Sequence, residues 1–555
     1  MTTDQGHRIQ DGPRAEHTVG PRDDDAVAVV GLACRLPGAP DLAAFWDLLR
    51  AGRDAVCDPP PDRWPGPVEA GGPPRRGGFL DHVDTFDAAF FDLSPAQAAA
   101  MDPQQRLTLE LGWEALEHAR LVPASLRGAS CGVFIGATWN DYALLVDRAG
   151  PAAISRHTLT GLNRGVIANH LSYALGLRGP SMVIDSVQSS ALVAVHAAVE
   201  SVRRGESDLA LAGGVNLNLT ASGTTAAGQF GALSPDGRCF TFDERANGYV
   251  RGEGGGLVVL RPLRAALADG DTVYAVIRGS AVTNDGATEG LTVPGVDGQA
   301  AALRQAYQRA GLDPGQADYV ELHGTGTAVG DPVEAAALGR VIGAARPAGA
   351  PLRVGSAKTN VGHLEGAAGI AGLLKVVLSI GYGQVPPSVD FQRPNPDIPL
   401  ADLRLEMVTE ARPWPEAARL AGVSSFGMGG TNCHLILGPP SVAPASVSTV
   451  DGTDLPLVLS ARSHAALRAQ AARLRERLAR GPDAPGGAQA EPGFGGAEHP
   501  QRHAGVALSL LRSRAEFEHR AVILGGAPAL GAFADGEPDE AVIAGTVAGG
   551  RCVFA

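Results

Sequence analysis

Two features of the sequence predict a layered α/β protein. From Ala26 to about residue 438, short apolar runs alternate with segments of helical periodicity. Gly is frequent, 73 of 555 residues, alongside abundant Ala, a composition that favours closely packed helices and tight turns.

The elements follow in order. Residues 1–25, "MTTDQGHRIQDGPRAEHTVGPRDDD", are polar and aperiodic, which predicts a disordered leader and lacks the apolar core of a signal peptide. "AVAVVGLACRLPG" then reads as a buried strand ending in Gly and Pro. "CGVFIGA" reads as another strand. "MVID" (Met182 to Asp185) also reads as a buried strand, turning at a polar corner of Asp185 and Ser186. Leu192, Val195, Val199 and Val202 then mark one face of a helix over Ser189–Arg204, with Gly205 as its stop. Further strands are "LALAGGVNL", "GLVVLRPL", "AVIRGSAVTN", "YVELHG" and "LILGPP".

A Pro/Ser/Thr-rich connector, "PPSVAPASVSTVDGTDLP", leads into a second unit. It holds a strand (Leu457–Ser460), a helix (Ser463–Arg480), a Gly/Pro-rich loop (Gly481–His499), a second helix around Gly505–Arg512 and the strand "RAVILGG". It carries no catalytic cluster and reads as a linker or scaffold. The final "GRCVFA" looks like the start of one more strand, as expected of a piece cut from a longer chain.

Bulk properties exclude several classes. A chain of this length is expected to hold two or more domains. Acidic residues exceed basic ones, 59 to 46, for a net charge of −13, which argues against bulk nucleic-acid binding. No apolar run approaches the ~20 residues of a membrane span. The six cysteines are scattered without a CxxC pair, as expected of buried free thiols in a reducing cytoplasm.

The corner at Asp185-Ser186-Val187-Gln188 is the first candidate site. A strand-to-helix turn faces free backbone N–H groups and the positive end of a helix dipole, where an anionic nucleophile is stabilised. A Ser or Cys there would indicate a covalent enzyme, but Gln188 is no nucleophile. "YVELHGTGTAVGDPVEAAAL" ends a strand at His323 and runs through a Gly/Thr loop into a helix. "GSAKTNVGHLEGAAGIAGLLKVVL" places Lys358 and His363 on a Gly-rich approach to another. "GVSSFGMGGTNCHLIL" turns through three glycines between strands. Each brings polar groups to the end of an apolar element. His196 and His434 read as core histidines. "RGEGGG" (Arg251–Gly256) lacks the GK[ST] of a phosphate loop, so its glycines read as close packing.

Taken together these segments resemble the ketosynthase domain of modular type I polyketide synthases. Further matches are "VAVVGLACRLPGAPDLAAFWDLLRAGRDAV", "MDPQQRLTLELGWEALEHA", similar to the family's dimer-side helix, and "LSPDGRCFTFDERANGYVRGEGGGLVVL". The resemblance implies a thiolase-like five-layered αβαβα core of two related halves over residues 26–438, dimerised through its central strands. Residues 439–555 are similar to the linker joining a ketosynthase to a downstream acyltransferase.

The family elbow is D-T-A-C-S-S-S-L, and here Gln188 replaces the Cys. Without a thiolate no acyl-enzyme forms and chain elongation is excluded. His323, His363 and Lys358 match the family's catalytic His/His/Lys set, and Thr325 and Thr327 its pantetheine-binding threonines. Phe426 and Met428 would form an apolar wall, with Met428 also offering an oxyanion-hole N–H. Lys358 is read either as tuning the histidines or as a structural ion pair with Glu334. Val187 stands where Ala is usual, narrowing the pocket, and His170 where Arg is common.

Gln with both histidines retained resembles the loading-module variant. The implied activity is decarboxylation of malonyl- or methylmalonyl-acyl carrier protein to an acetyl or propionyl starter. No cofactor is expected on this chain, because the substrate rides on the 4'-phosphopantetheine arm of the carrier. The leader has no heptads, so the coiled-coil docking helix of a module fed from upstream is not expected. The alternatives are a catalytically silent dimeric scaffold and a Cys-to-Gln variant of an elongating ketosynthase.

Overall fold

The structure, a computed structural model, describes residues 25–64, 75–414, 420–440, 455–479 and 499–547. The leader through residue 24, the loop 481–498 and the terminal "GRCVFA" lie outside the described residues.

The first half contributes strands β1 (Val27–Arg35), β2 (Cys131–Gly136), β3 (Ser181–Ile184), β4 (Leu209–Asn216) and β5 (Gly254–Pro262). The second contributes β6 (Ala275–Asn284), β7 (Tyr319–Glu321), β8 (Leu352–Gly355), β9 (Leu405–Met407), β10 (Ala421–Phe426) and β11 (Thr431–Gly438). They join in one eleven-stranded sheet of order β9-β8-β7-β10-β11-β6-β1-β5-β4-β2-β3. Each half repeats one scheme. An outer parallel trio (β4-β2-β3, and β10-β7-β8) is bounded by an antiparallel pair (β1-β5, and β6-β11). The halves meet where β1 pairs β6 antiparallel.

Helices separate three apolar cores. α1 (Pro103–His118) and α2 (Val166–Leu175) cover the outer face of the first half with Leu109, Ala115, Ile167 and Leu171. α3 (Ser190–Arg203) lies inside, followed in chain order by α4 (Val296–Ala310) and α5 (Gly330–Val341), which cover the outer face of the second half through Leu303, Ala306 and Leu338. α6 (Ala368–Tyr382) packs on α3 between the two halves. Every residue of α6 from Ala368 to Ile380 is buried, so its all-round apolar sequence serves a core helix. The stretch Glu365–Tyr382 is apolar enough for a membrane span but is 89% buried in this fold. The layering is therefore αβαβα.

Close backbone approach explains the glycine content. Gly213 and Gly214 of β4 pair with Leu257 and Gly256 of β5, and a Cβ on Gly213 would sit 2.1 Å from the Gly256 carbonyl oxygen. A Cβ on Gly256 would meet Leu374 at 2.7 Å, so the "RGEGGG" glycines do serve packing.

The second unit is a three-stranded antiparallel sheet, β12 (Leu457–Ala461), β13 (His519–Ile523) and β14 (Val542–Thr546), with helices α7 (His464–Ala479), α8 (His499–Ser513) and α9 (Gly526–Asp535). Helix α9 and strand β14 were not foreseen. This unit leans on α1: the Phe517 ring contacts Phe90 and Trp113, and Arg462 pairs with Asp92 at 2.7 Å.

Two expectations are corrected. β3 is not a buried strand: it is the outermost strand of the sheet, and Met182 is 42% exposed because no strand pairs beyond it among the described residues. Cys57 is exposed on a two-residue strand, whereas Cys34, Cys131, Cys239 and Cys433 are buried free thiols.

Gly213→Ala is expected to destabilise the protein by about 1–3 kcal/mol through backbone displacement, read as a lower midpoint in a thermal melt. Gly545→Ala, with no atom within 4 Å of the added methyl, is the control.

Candidate active site

The elbow after β3 is a 3-10 turn, Val187–Ser189, leading into α3. Its serines close it. The Ser186 N–H donates to Ser190 Oγ at 2.9 Å, Ser190 Oγ donates to the Val187 carbonyl at 2.6 Å, and Ser425 Oγ donates to the Gln188 carbonyl at 3.0 Å. The Val187 N–H donates to Asp185 Oδ1 at 3.1 Å. Val187 itself sits at φ +59°, a left-handed conformation that costs a β-branched residue about 1–3 kcal/mol.

The turn between β10 and β11 folds over this elbow. A Cβ on Gly427 would lie 2.3 Å from the Ser186 carbonyl oxygen, so Gly is required there. The approach brings the Met428 N–H to Gln188 Oε1 at 2.9 Å. With its oxygen engaged, the amide keeps its NH2 group free to donate.

His323 follows β7. Its N–H and that of Gly324 donate to the two carboxylate oxygens of Glu334, each at 2.8 Å. Asp331 accepts from the N–H groups of Phe242 at 2.8 Å and Gly326 at 3.1 Å. Burial pushes Asp331 up to about 7 and Glu334 up to about 8, against the lowering effect of those N–H bonds. The loop between them presents Thr325 and Thr327, whose hydroxyls lie 3.0 Å apart.

His363 is gripped through its backbone: its N–H donates to the Val250 carbonyl and its carbonyl accepts from the Gly252 N–H, both at 2.7 Å. Its ring Nδ1 accepts the Glu365 N–H at 3.0 Å. A backbone N–H can only donate, so a neutral His363 carries its proton on Nε2. The His323 and His363 rings are 5.5 Å apart and nearly perpendicular, with Phe426 5.4 Å from His323. Burial, then Lys358, then His363 hold His323 well below the ordinary imidazole value, while burial, Lys358 and Arg251 do the same to His363. Both rings are neutral at physiological pH.

A cavity of about 790 Å³ opens onto these groups. It is lined by Gln188, His323, Thr325, Thr327, His363, Phe426 and Met428 among others. Every named site residue meets there except Lys358. That lysine is buried outside the cavity lining, and burial lowers its pKa while Glu321 and Glu334 hold it up. Glu334 spends both carboxylate oxygens on the two backbone N–H groups and interacts with Lys358 through charge. His196 and His434 do not line the cavity, and bond Ser280 at 2.8 Å and Ser424 at 3.0 Å.

Sequence reasoning missed the support of His363. The Glu365 carboxylate accepts from Arg251 Nε at 3.0 Å and from the Tyr249 hydroxyl at 3.3 Å, and the Tyr249 ring lies 5.0 Å from His363. The adjacency of Glu365 to His363 in "GHLEG" was the available signal. No group of three or more potential metal ligands occurs among the described residues.

Residues 24–266 match the beta-ketoacyl synthase N-terminal domain, 274–392 its C-terminal domain, and 394–484 the ketoacyl-synthetase C-terminal extension. The chain is 53% identical over 554 residues, 95% of its length, to polyketide synthase GfsA of Streptomyces halstedii. It is 42% identical over 514 residues, 92% of its length, to erythronolide synthase EryA3 of Saccharopolyspora erythraea. It spans only 7% and 15% of those two proteins. Among solved structures, the module 6 ketosynthase of the Bacillus subtilis 168 bacillaene synthase superposes with a TM-score of 0.83 at 33% identity, covering 94% of this chain and 87% of that one. The oxazolomycin ketosynthase domain OzmH KS7 of Streptomyces albus JA3453 gives 0.85 at 36% identity, covering 94% and 90%.

The buried imidazoles tie stability to pH. Their folded pKa values lie below the ordinary 6.5, so beneath that pH the unfolded chain binds protons that the folded chain does not. The histidine contribution to stability is expected to fall as pH drops through 6.5, by up to about 1.4 kcal/mol per pH unit for each, while Asp331 and Glu334, raised by burial, contribute with the opposite sign. Denaturant midpoints between pH 8 and pH 5.5 test this: the His323→Gln/His363→Gln double variant should gain stability relative to the parent as pH falls.

Proposed function

Because this chain belongs to the beta-ketoacyl synthase family yet carries Gln188 at its nucleophile position, we propose that it decarboxylates malonyl- or methylmalonyl-acyl carrier protein. The product is the acetyl or propionyl starter of a polyketide synthase loading module. The observation that carries this reading is the pairing of an amide already satisfied by Met428 with two neutral imidazoles on the same cavity.

Thr325 and Thr327 receive the pantetheine arm and deliver the thioester between Gln188 and the histidines. The bond between the α-carbon and the carboxylate breaks, CO2 leaves, and the electron pair moves onto the thioester as an enolate. Negative charge develops on the thioester oxygen, and the His363 Nε2–H, with a matching N–H from His323, stabilises it there. A proton delivered to carbon completes the acyl product. Neutral donors suit this step, since they need give up no proton and can act throughout the physiological range. Lys358 acts through the histidines, its positive charge keeping both from protonating.

The Gln188 amide occupies the space of an acylated cysteine and leaves an NH2 donor for the malonyl group. It cannot capture the product, so the reaction stops at the starter. The unpaired edge of β3 supports dimerisation through that strand, and the second unit supports a downstream acyltransferase in the same polypeptide.

Intact-protein mass spectrometry of malonyl- and methylmalonyl-loaded carrier proteins tests this. Loss of CO2 is expected with this chain. His323→Ala or His363→Ala should slow it roughly 10²–10³-fold, the usual effect of removing one oxyanion donor. Unchanged masses on both carriers would reduce Gln188 to an inactivating substitution and the domain to a scaffold.

A further inference from the structure

Seven non-glycine residues among those described have positive φ, and Val187 is the only β-branched one. Branching at Cβ makes this conformation hardest to hold, and Gly would hold it without strain. The turn does not need a branched side chain for its hydrogen bonds, because Val187 contributes only its N–H to Asp185 and its carbonyl to Ser190. The side chain instead lines the cavity next to Gln188, together with Phe426 and Met428. It is thus a bulky group placed where the backbone tolerates it least, at the wall beside the reacting acyl unit. An outlier of this kind at a ligand-facing position indicates a functional constraint.

From the strained backbone and the placement beside Gln188, we infer that Val187 is a specificity-determining residue: its two methyl groups cap the space beyond the substrate α-carbon and limit the α-substituent to hydrogen or methyl. This inference rests on the proposed decarboxylation and adds its size limit. The rest of the cavity does not set that limit, because about 790 Å³ leaves room for far larger acyl groups than a two- or three-carbon unit.

The test compares Val187→Ala and Val187→Gly with the unaltered chain on carrier proteins loaded with malonyl, methylmalonyl and butylmalonyl groups. CO2 loss is followed by intact mass. The butylmalonyl-to-malonyl rate ratio is expected to rise by roughly tenfold or more in both variants, the usual discrimination of an apolar wall against added methylenes. A thermal melt checks folding, and the glycine variant is expected to melt no lower than the parent because it relieves the left-handed strain.

A second measurement does not depend on turnover: the affinity of each protein for acetyl- and hexanoyl-pantetheine. Val187→Gly is expected to tighten hexanoyl binding relative to acetyl by a similar factor. If the parent removes CO2 from no carrier, the decarboxylase reading falls, and the affinity ratio alone decides the size limit. An unchanged rate ratio with an active parent, or an unchanged affinity ratio, overturns the role of Val187.

Discussion

The site depends on how closely two backbone turns approach. The Ser186 carbonyl sits where any side chain at position 427 would be, 2.3 Å from its Cβ, and only Gly427 permits the contact. That approach carries the Met428 N–H to Gln188. There that N–H is satisfied by a permanent amide acceptor, so the donor is neither left unpaired nor available to stabilise a tetrahedral intermediate at the elbow. In the proposed reaction, charge stabilisation then falls to the histidine wall.

That wall is built on buried carboxylates that bond backbone. Glu334 and Asp331 spend their oxygens on N–H groups of the loops they hold, and burial raises both towards neutrality. Two full negative charges beside the site would draw protons onto the histidines; nearly neutral carboxyls do not. Lys358 pushes in the same direction from outside the cavity lining. The arrangement keeps two imidazoles uncharged on the wall of the cavity.

Much of this was legible in the sequence, and the limits have physical causes. The elbow, the His323 loop and the His363 approach were readable because each combines a strand period, small residues and a helix start within a few positions. The exposure of Met182 was not, since an apolar run looks the same in a central strand and in an edge awaiting a partner. Glu365 was passed over although it neighbours His363, because its contacts with Arg251 and Tyr249 span 114 and 116 residues of chain. The placement of Lys358 outside the cavity lining depends on a single helical turn, Lys358–Val361, whose direction no residue pattern fixes.

The two halves explain why chemistry gathers at one place. β3 and β8 occupy equivalent positions in their parallel trios, with β9 added beyond β8, and each precedes a central helix: α3 follows β3 through a short elbow, and α6 follows β8 after the segment 356–367. The turn after β3 carries Gln188 and the segment after β8 carries Lys358 and His363. β7, the middle strand of the second trio, ends at His323, as β2 in the first ends near Thr138, which also lines the cavity. Ligands of open α/β sheets gather at the carboxyl ends of parallel strands, and packing α3 on α6 brings two such ends together. One repeat then supplies Gln188 and the other supplies both histidines to the same cavity. Because the two sets come from different repeats, the residue at the elbow can change without moving either histidine, and that independence is what the proposed decarboxylation requires.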